Sequence, residues 1–446
     1  MGQYNGLPLN SPLPVEHHQP QPSTTPAIQP SPFRLLIVAH CFHPEVAVGA
    51  LRPRRFFKYL QAAGIDCHIL AATAPGPHPQ VTLVEDTLGA FWEHRARARQ
   101  KGLPLPPMSW AAHQERLLRW LFPGQEAFHW ARAAAEAARQ WIRPGATVVL
   151  STYPPIGAHL AAMKISRQYH CPWIADFRDP LLVPGVPYPP LQHAALRWLR
   201  SRVLRAADAV IANTDHMLTV GWAHLKKLPP AYVIWNGFDP EEQPQALPLP
   251  PRPYRLIVHT GSLYAGRNAN LIVAALERLV LSRRVAPDQL KLCLLGHISH
   301  DSYSDEALYR RAAATGWLEI RPPVSRPQAL HLAEQADGLL LLQPQSPLQV
   351  PAKLYEYISI GRPILALAPR NSAVEYVLQK AQVPSVCIYP DDPPAQVDEK
   401  LLAFLALPPV VSQPSKEYLE EFNARRQTES LLRIIHSLLQ PPKPGA

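Results

Sequence analysis

This chain of 446 residues is short of several things, and each shortage excludes something. Its five cysteines (Cys41, Cys67, Cys171, Cys293, Cys387) form no C-x-x-C pair, which argues against a disulfide scaffold or structural zinc and favours a reducing cytoplasm. No apolar run approaches the ~18–20 residues that span a bilayer. No charged segment followed by an apolar one opens the chain, so no signal peptide is expected. No G-x-G-x-x-G follows a candidate opening strand, which argues against a nicotinamide-dependent dehydrogenase. RNP-like and zinc-finger patterns are also missing, so no nucleic-acid partner is expected. His40 and His43 have H-x-x-H spacing but no third ligand signal, and no metal is expected there.

What is present is charge, proline and buried-strand pattern. A formal charge of +10 points to an anionic partner, a nucleotide or a phospholipid surface. The length suits about two to three domains, and 47% hydrophobic residues suffice to pack them. Residues 1–32 are rich in Pro, Gln, Ser and Thr and read as a disordered tail. A second Pro-rich stretch, 239–253, reads as a linker between blocks 33–238 and 254–410. Residues 411–446 read as a C-terminal helix and tail, with one helix-like stretch from Lys416 to Leu439.

The two blocks open alike. Leu35 to Ala39 is a continuously apolar strand, followed by a loop with Gly49, a helix from Arg54 to Ala63 and a strand from Cys67 to Ala71. Arg255 to His259 leads through Gly261 and Gly266 to a helix at Leu271–Leu281 and a strand at Lys291–Leu295. Further strands are expected at 148–151, 173–176, 209–212, 232–235, 318–321, 338–342 and 364–367. Alternating buried strands and helices imply an α/β protein with two tandem parallel sheets, and a ligand crevice at the strand carboxyl ends.

The most informative segment is Val350-Pro351-Ala352-Lys353-Leu354-Tyr355-Glu356-Tyr357, ending in Gly361-Arg362-Pro363. Proline suits a first helical turn, whose free amides and dipole seat a phosphate. Taken alone, Lys353 and Glu356 read as a surface ion pair three residues apart. Other motifs precede them: Phe42-His43-Pro44-Glu45 with Gly49 and Arg52, Ser151-Thr152-Tyr153-Pro154-Pro155, Asp176-Phe177-Arg178-Asp179-Pro180, and Asn236-Gly237-Phe238-Asp239.

In this order the motifs resemble those of the retaining GT-B glycosyltransferases of family 4, in the subgroup with DFRDP and P-x-K-x-Y-E-Y sequences. The resemblance implies two tandem Rossmann-like domains with an interdomain crevice. It also implies sugar transfer from a nucleoside-diphosphate sugar, as co-substrate, to a glycan or lipid-linked acceptor in cell-surface polysaccharide synthesis. No cofactor or metal is implied, and no Asp-x-Asp is present. Donor binding falls to Gly261, Arg267, Ala352, Lys353 and Glu356, with Glu356 on the ribose and the cations on the diphosphate. Gly49 and Arg52 are assigned to an acceptor or phosphate loop. Asp176 and Asp179 are candidate catalytic groups, with a local Arg178–Asp179 ion pair as the alternative. The chain departs from the family at Ser262, where an arginine is usual, and at Leu348, where a sugar-contacting glutamate is usual. Pro351 also replaces a frequent glycine. These departures keep open a non-catalytic GT-B scaffold, and a nucleotide-sugar 2-epimerase is a further alternative.

Residues 91–143 hold five of the ten tryptophans and nine Lys/Arg against four Asp/Glu. That composition suits peripheral contact with an anionic membrane, at the inner face if the protein is cytoplasmic. Trp130 also matches a packed tryptophan of the subgroup.

Overall fold

The strand-forming residues come as unbroken apolar runs because both faces of each sheet are covered. In the first sheet Leu36 and Val38 pack into one core while Leu35 and Ile37, pointing the other way, pack into a second. The second sheet repeats this, with Leu256 and Val258 on one side and Ile257 on the other. The computed structural model describes residues 33–43, 48–73, 76, 78–183, 186–225, 227–263, 266–298 and 305–440. The expected tail at 1–32 and the residues Pro44 and Glu45 lie outside the described residues.

The first sheet comprises β1 (Arg34–Val38), β2 (Asp66–Ala71), β3 (Val81–Leu83), β4 (Thr147–Tyr153), β5 (Trp173–Phe177), β6 (Ala209–Ala212) and β7 (Ala231–Val233). Its order is β3-β2-β1-β4-β5-β6-β7, parallel throughout. The second comprises β8 (Arg255–Thr260), β9 (Leu290–Leu295), β10 (Leu318–Arg321), β11 (Gly338–Leu342), β12 (Ile364–Leu367) and β13 (Ser385–Ile388), in the parallel order β10-β9-β8-β11-β12-β13. In both, the order reverses beside the opening strand, the place where such sheets bind ligands. Two strands not expected from the sequence, β3 and β13, are short edge strands in which Ile388 alone is fully buried.

Helices α1 (Val48–Ala62), α2 (Thr87–Gln100), α3 (Trp110–Leu121), α4 (Trp130–Ala137), α5 (Ile156–Tyr169) and α6 (Pro190–Ala206) accompany the first sheet. The second is accompanied by α7 (Asn270–Leu281), α8 (Glu306–Ala314), α9 (Arg326–Glu334), α10 (Ala352–Ile360), α11 (Ala373–Ala381) and α12 (Pro394–Ala406). The chain ends with α13 (Lys416–Glu421) and α14 (Ala424–Leu439).

Helix α1 begins well before the expected Arg54 and carries Pro53 in its interior. Proline has no N–H to give Gly49, four residues back, so that carbonyl needs another donor. Arg178 supplies it, donating from Nη1 to Gly49 O at 2.5 Å.

The expected single helix over 416–439 is two helices, broken where Asn423 caps α14 by accepting from the Arg425 amide. The break lets the chain change domain. α13 packs on α11, whereas α14 returns to α1, and its Leu431, Ile434 and Ile435 join the core of the first sheet. The outgoing strand of this exchange is the Asn236-Gly237-Phe238-Asp239 motif. Phe238 donates to Phe422 O and receives from Ala424 N, both at 3.0 Å. A Cβ at Gly237 would overlap the Phe422 carbonyl, so glycine alone fits there. Asp239 is fastened to α1 by the Tyr59 hydroxyl (2.5 Å) and Lys58 Nζ (2.9 Å). The motif therefore serves as the hinge between the domains.

Candidate active site

The start of α10 is set by Pro351 in an extended cap conformation (φ −60°, ψ 138°), leaving the amides of Ala352 and Lys353 without intrahelical acceptors. One turn on, the Tyr357 hydroxyl bonds to the amide and hydroxyl of Thr260, each at 3.1 Å. This fastens α10 to the end of β8. There the chain turns through Gly261 (φ +125°), and β9 ends in Gly296 (φ +145°). A Cβ at Gly261 would overlap Lys353 Nζ, and one at Gly296 would strike the Gly261 carbonyl. Two bare backbone segments and a lysine ammonium thus share one small space.

The electrostatics of that space are cationic. Burial holds the Lys353 pKa below its ordinary value; Glu356 opposes the shift and nearby Arg267 adds to it. His259, buried in the strand behind, is pushed down to about 3 by burial and by Lys353, although its ring bonds Leu340 O at 2.8 Å. It is neutral, and its Nε2 is buried without a hydrogen-bond partner among the described residues. Arg267 follows Gly266 (φ +75°) and is held by the side chain of Gln343. Among the described residues Lys353 makes no ion pair.

Glu356 does not pair with Lys353 as the spacing suggests. Its carboxylate accepts from Arg326 Nη2 at 2.6 Å, across from the first turn of α9, and is one-fifth exposed. Arg326 is thirty residues away in sequence and no motif announced it. The structure therefore gathers Gly261, Arg267, Ala352, Lys353 and Glu356 around the carboxyl ends of β8 and β9.

The residues proposed on the facing domain are distributed differently. Asp176 does not face a crevice: it is fully buried, and Arg52 binds it through Nε to Oδ2 (2.9 Å) and Nη2 to Oδ1 (2.7 Å). Arg52 spends Nη1 on Trp235 O at 2.8 Å, at the hinge. Both carboxylate oxygens and all three faces of the guanidinium fork are consumed, so this pair fixes α1 and the hinge on β5. Arg178 forms no ion pair with Asp179; it donates to the carbonyls of Gly49, Tyr153 and Pro154. Gly49 lies inside α1, and a Cβ there would sit 3.4 Å from Arg178 Nη1, so its bareness serves Arg178. Asp179 does reach the other domain, accepting from Gln349 Nε2 at 2.6 Å.

Two more contacts join the domains here. Thr214 Oγ1 donates to Leu348 O at 2.7 Å, and the ring of His216 bonds Asn371 O at 3.0 Å. Leu348 is fully buried, with its side chain against Gly221. The space a glutamate would need there is closed by apolar packing. Among the described residues no group of three His, Cys, Asp or Glu side chains could hold a metal ion.

Comparison with known proteins agrees with this architecture. The model of Glycosyltransferase Family 4 matches residues 54–242. No curated protein matches the chain. Among solved structures, sucrose-phosphate synthase from Thermosynechococcus elongatus is similar with a TM-score of 0.64 at 13% identity, over 91% of this chain and 99% of that one. The E. coli trehalose-6-phosphate protein bound with UDP-2-fluoro glucose gives 0.62 at 14%, over 92% and 99%. Anabaena HepE in complex with UDP gives 0.59 at 12%, over 91% and 100%. The chain has the GT-B fold of these proteins.

Proposed function

We propose that the protein is a glycosyltransferase that moves a sugar from a nucleoside-diphosphate sugar to a glycan or lipid-linked acceptor, with retention and without a metal. The observation that carries this reading is Lys353, a partly desolvated cation without an ion pair among the described residues, at the open end of α10 and set against the bare backbone of Gly261. Departure of the nucleotide concentrates negative charge on its diphosphate, and preorganised cations and amides there lower the barrier. Lys353, Arg267 and the amides of Ala352 and Lys353 supply them. Glu356, one turn further, takes the ribose hydroxyls, held in place by Arg326. UDP and UDP-glucose in the similar structures support a uridine nucleotide as donor. The leaving diphosphate itself accepts the acceptor proton on the front face, so no protein base is required. A role in cell-surface polysaccharide synthesis, at the inner face of the membrane, completes the reading.

Calorimetric titration with UDP, GDP and dTDP, followed by a mass-spectrometric screen of nucleotide sugars, tests it. UDP binding and sugar transfer are the expected results. A second reading, a GT-B scaffold without catalysis, draws on the buried Leu348 and on Ser262 in the phosphate loop. Absence of binding to all three nucleotides would select that scaffold.

A further inference from the structure

Of the five tryptophans in 91–143, only Trp110 and Trp120 point outward, 74% and 55% exposed. Trp130 is core, donating to Val84 O at 2.7 Å, and Trp141 stacks on His68. A third outward tryptophan, Trp198 on α6, is 54% exposed and joins them from outside that region. On α3, Trp110, Leu117 and Trp120 follow at seven- and three-residue steps, one face of the helix. On α6, Leu191 and Trp198 do the same, and Arg202 continues the stripe one turn later. Gln192 Nε2, donating to Trp120 O at 2.8 Å, ties the two helices together.

Between them lies an apolar cavity of about 690 Å³ whose walls include Leu118, Phe122, Leu160 and Trp198. A second cavity of about 400 Å³ is lined by Met163, Lys164, Arg167, Gln168 and Arg202. Arg202 lines both, and Arg167 and Arg202 have no carboxylate partner among the described residues. α6 carries four arginines and no acid.

We propose that this α3–α5–α6 face is a docking surface for an anionic phospholipid bilayer, with Leu117, Trp120, Leu191 and Trp198 entering the interface and Lys164, Arg167 and Arg202 meeting lipid phosphates. The apolar band lies beside a cationic one, in which Arg167 and Arg202 have no carboxylate partner among the described residues and Lys164 lies 3.9 Å from Glu136 at the rim; together they reproduce the order of acyl and headgroup layers, and tryptophan favours the boundary between them. Isolated phosphate or nucleic acid would leave the apolar cavity unused. The apolar band lies toward the start of α5 and α6, the end at which the strands of the first sheet finish. Docking therefore turns the interdomain site toward the bilayer, where a lipid-linked acceptor would be. The inference deepens the membrane location proposed above and does not depend on the transfer chemistry.

The test is flotation of the full-length protein with vesicles of phosphatidylcholine alone or with added phosphatidylglycerol, in low salt and in ~0.5 M salt, where screening is short-ranged. Binding to the anionic vesicles only, weakened by salt, is expected. Arg167→Glu/Arg202→Glu should weaken it at least about tenfold, each cation near the surface contributing a severalfold factor. Leu117→Glu/Leu191→Glu should do so even at low salt, while UDP binding by calorimetry stays unchanged in both variants. No flotation, or flotation equal in wild type and variants, overturns the proposal. So does light scattering that shows a dimer converted to monomer by Leu117→Glu/Leu191→Glu, since the face would then bind a second copy. Lost flotation with intact UDP binding would leave the transferase reading standing.

Discussion

The Lys353 ammonium rests on the α-carbon of Gly261, so that a single added methyl at 261 would displace it. Gly261→Ala is expected to weaken nucleotide binding about tenfold or more, since it moves the cation and strains a residue at φ +125°. Titration calorimetry would measure it. The depressed pKa of Lys353 gives the pH dependence: as pH rises through the folded value, which lies below that of an ordinary lysine, the charge is lost and affinity falls. Binding at alkaline pH should therefore take up a proton. Affinity that is flat well above neutrality, matched by a Lys353→Ala variant of wild-type affinity, would remove Lys353 from the site.

Glu356 is positioned by Arg326 across 2.6 Å, not by its helix neighbour. Glu356→Ala should raise the donor KM by roughly 10–100-fold, the loss of one or two hydrogen bonds to a charged group. Arg326→Ala should raise it less, by roughly 3–10-fold, because the carboxylate remains but is no longer oriented. Steady-state kinetics decide this, and an Arg326→Ala enzyme with a lower KM would instead mark Arg326 as a competitor for Glu356.

The Arg52–Asp176 pair makes a different kind of prediction. Removing one partner of a buried pair costs about 3–5 kcal/mol, whereas replacing both with apolar groups costs far less. Asp176→Asn should lower the unfolding midpoint sharply, and Arg52→Met/Asp176→Leu should recover much of it. An Asp176→Asn protein with wild-type stability and no turnover would return Asp176 to catalysis.

His159 and His259 contribute to the response to acid, as does His68, which burial pushes down to about 4. Burial, with Arg178 nearby, pushes His159 down to about 3, and burial with Lys353 does the same to His259. Below the ordinary histidine pKa of about 6.5 the unfolded chain binds these protons and the folded chain does not. Each histidine should then cost roughly 1.4 kcal/mol per pH unit as pH falls from about 6 toward 3. Denaturant titrations at stepped pH would show it, and His159→Gln should flatten the slope by about half of this two-histidine contribution.

Much of the architecture was legible in the chain itself. Continuous apolar runs as short as Leu35–Ala39 suit strands covered on both faces, and their alternation with helices points to parallel sheets. The turn at Gly261 and the start of α10 behind Pro351 were legible too, because a helix start and a tight strand-end turn are local devices written in a few adjacent residues. The short edge strands β3 and β13 were not, since three or four residues, most of them not fully buried, leave too short a pattern to read. Nor was the break at Asn423, because the apolar stripe continues through it and only the partner domain changes.

The sequence by itself determined the two doubly covered sheets, the proline-set start of α10 and the shortage of features that other functions would need. The tertiary structure alone decided partners. It gave Asp176 to Arg52 across 124 residues, Glu356 to Arg326 across 30, and α14 to the first domain. The physical reason is that a buried charge is defined by what neutralises it, and those partners arrive from other elements in directions that spacing along one helix or strand does not encode.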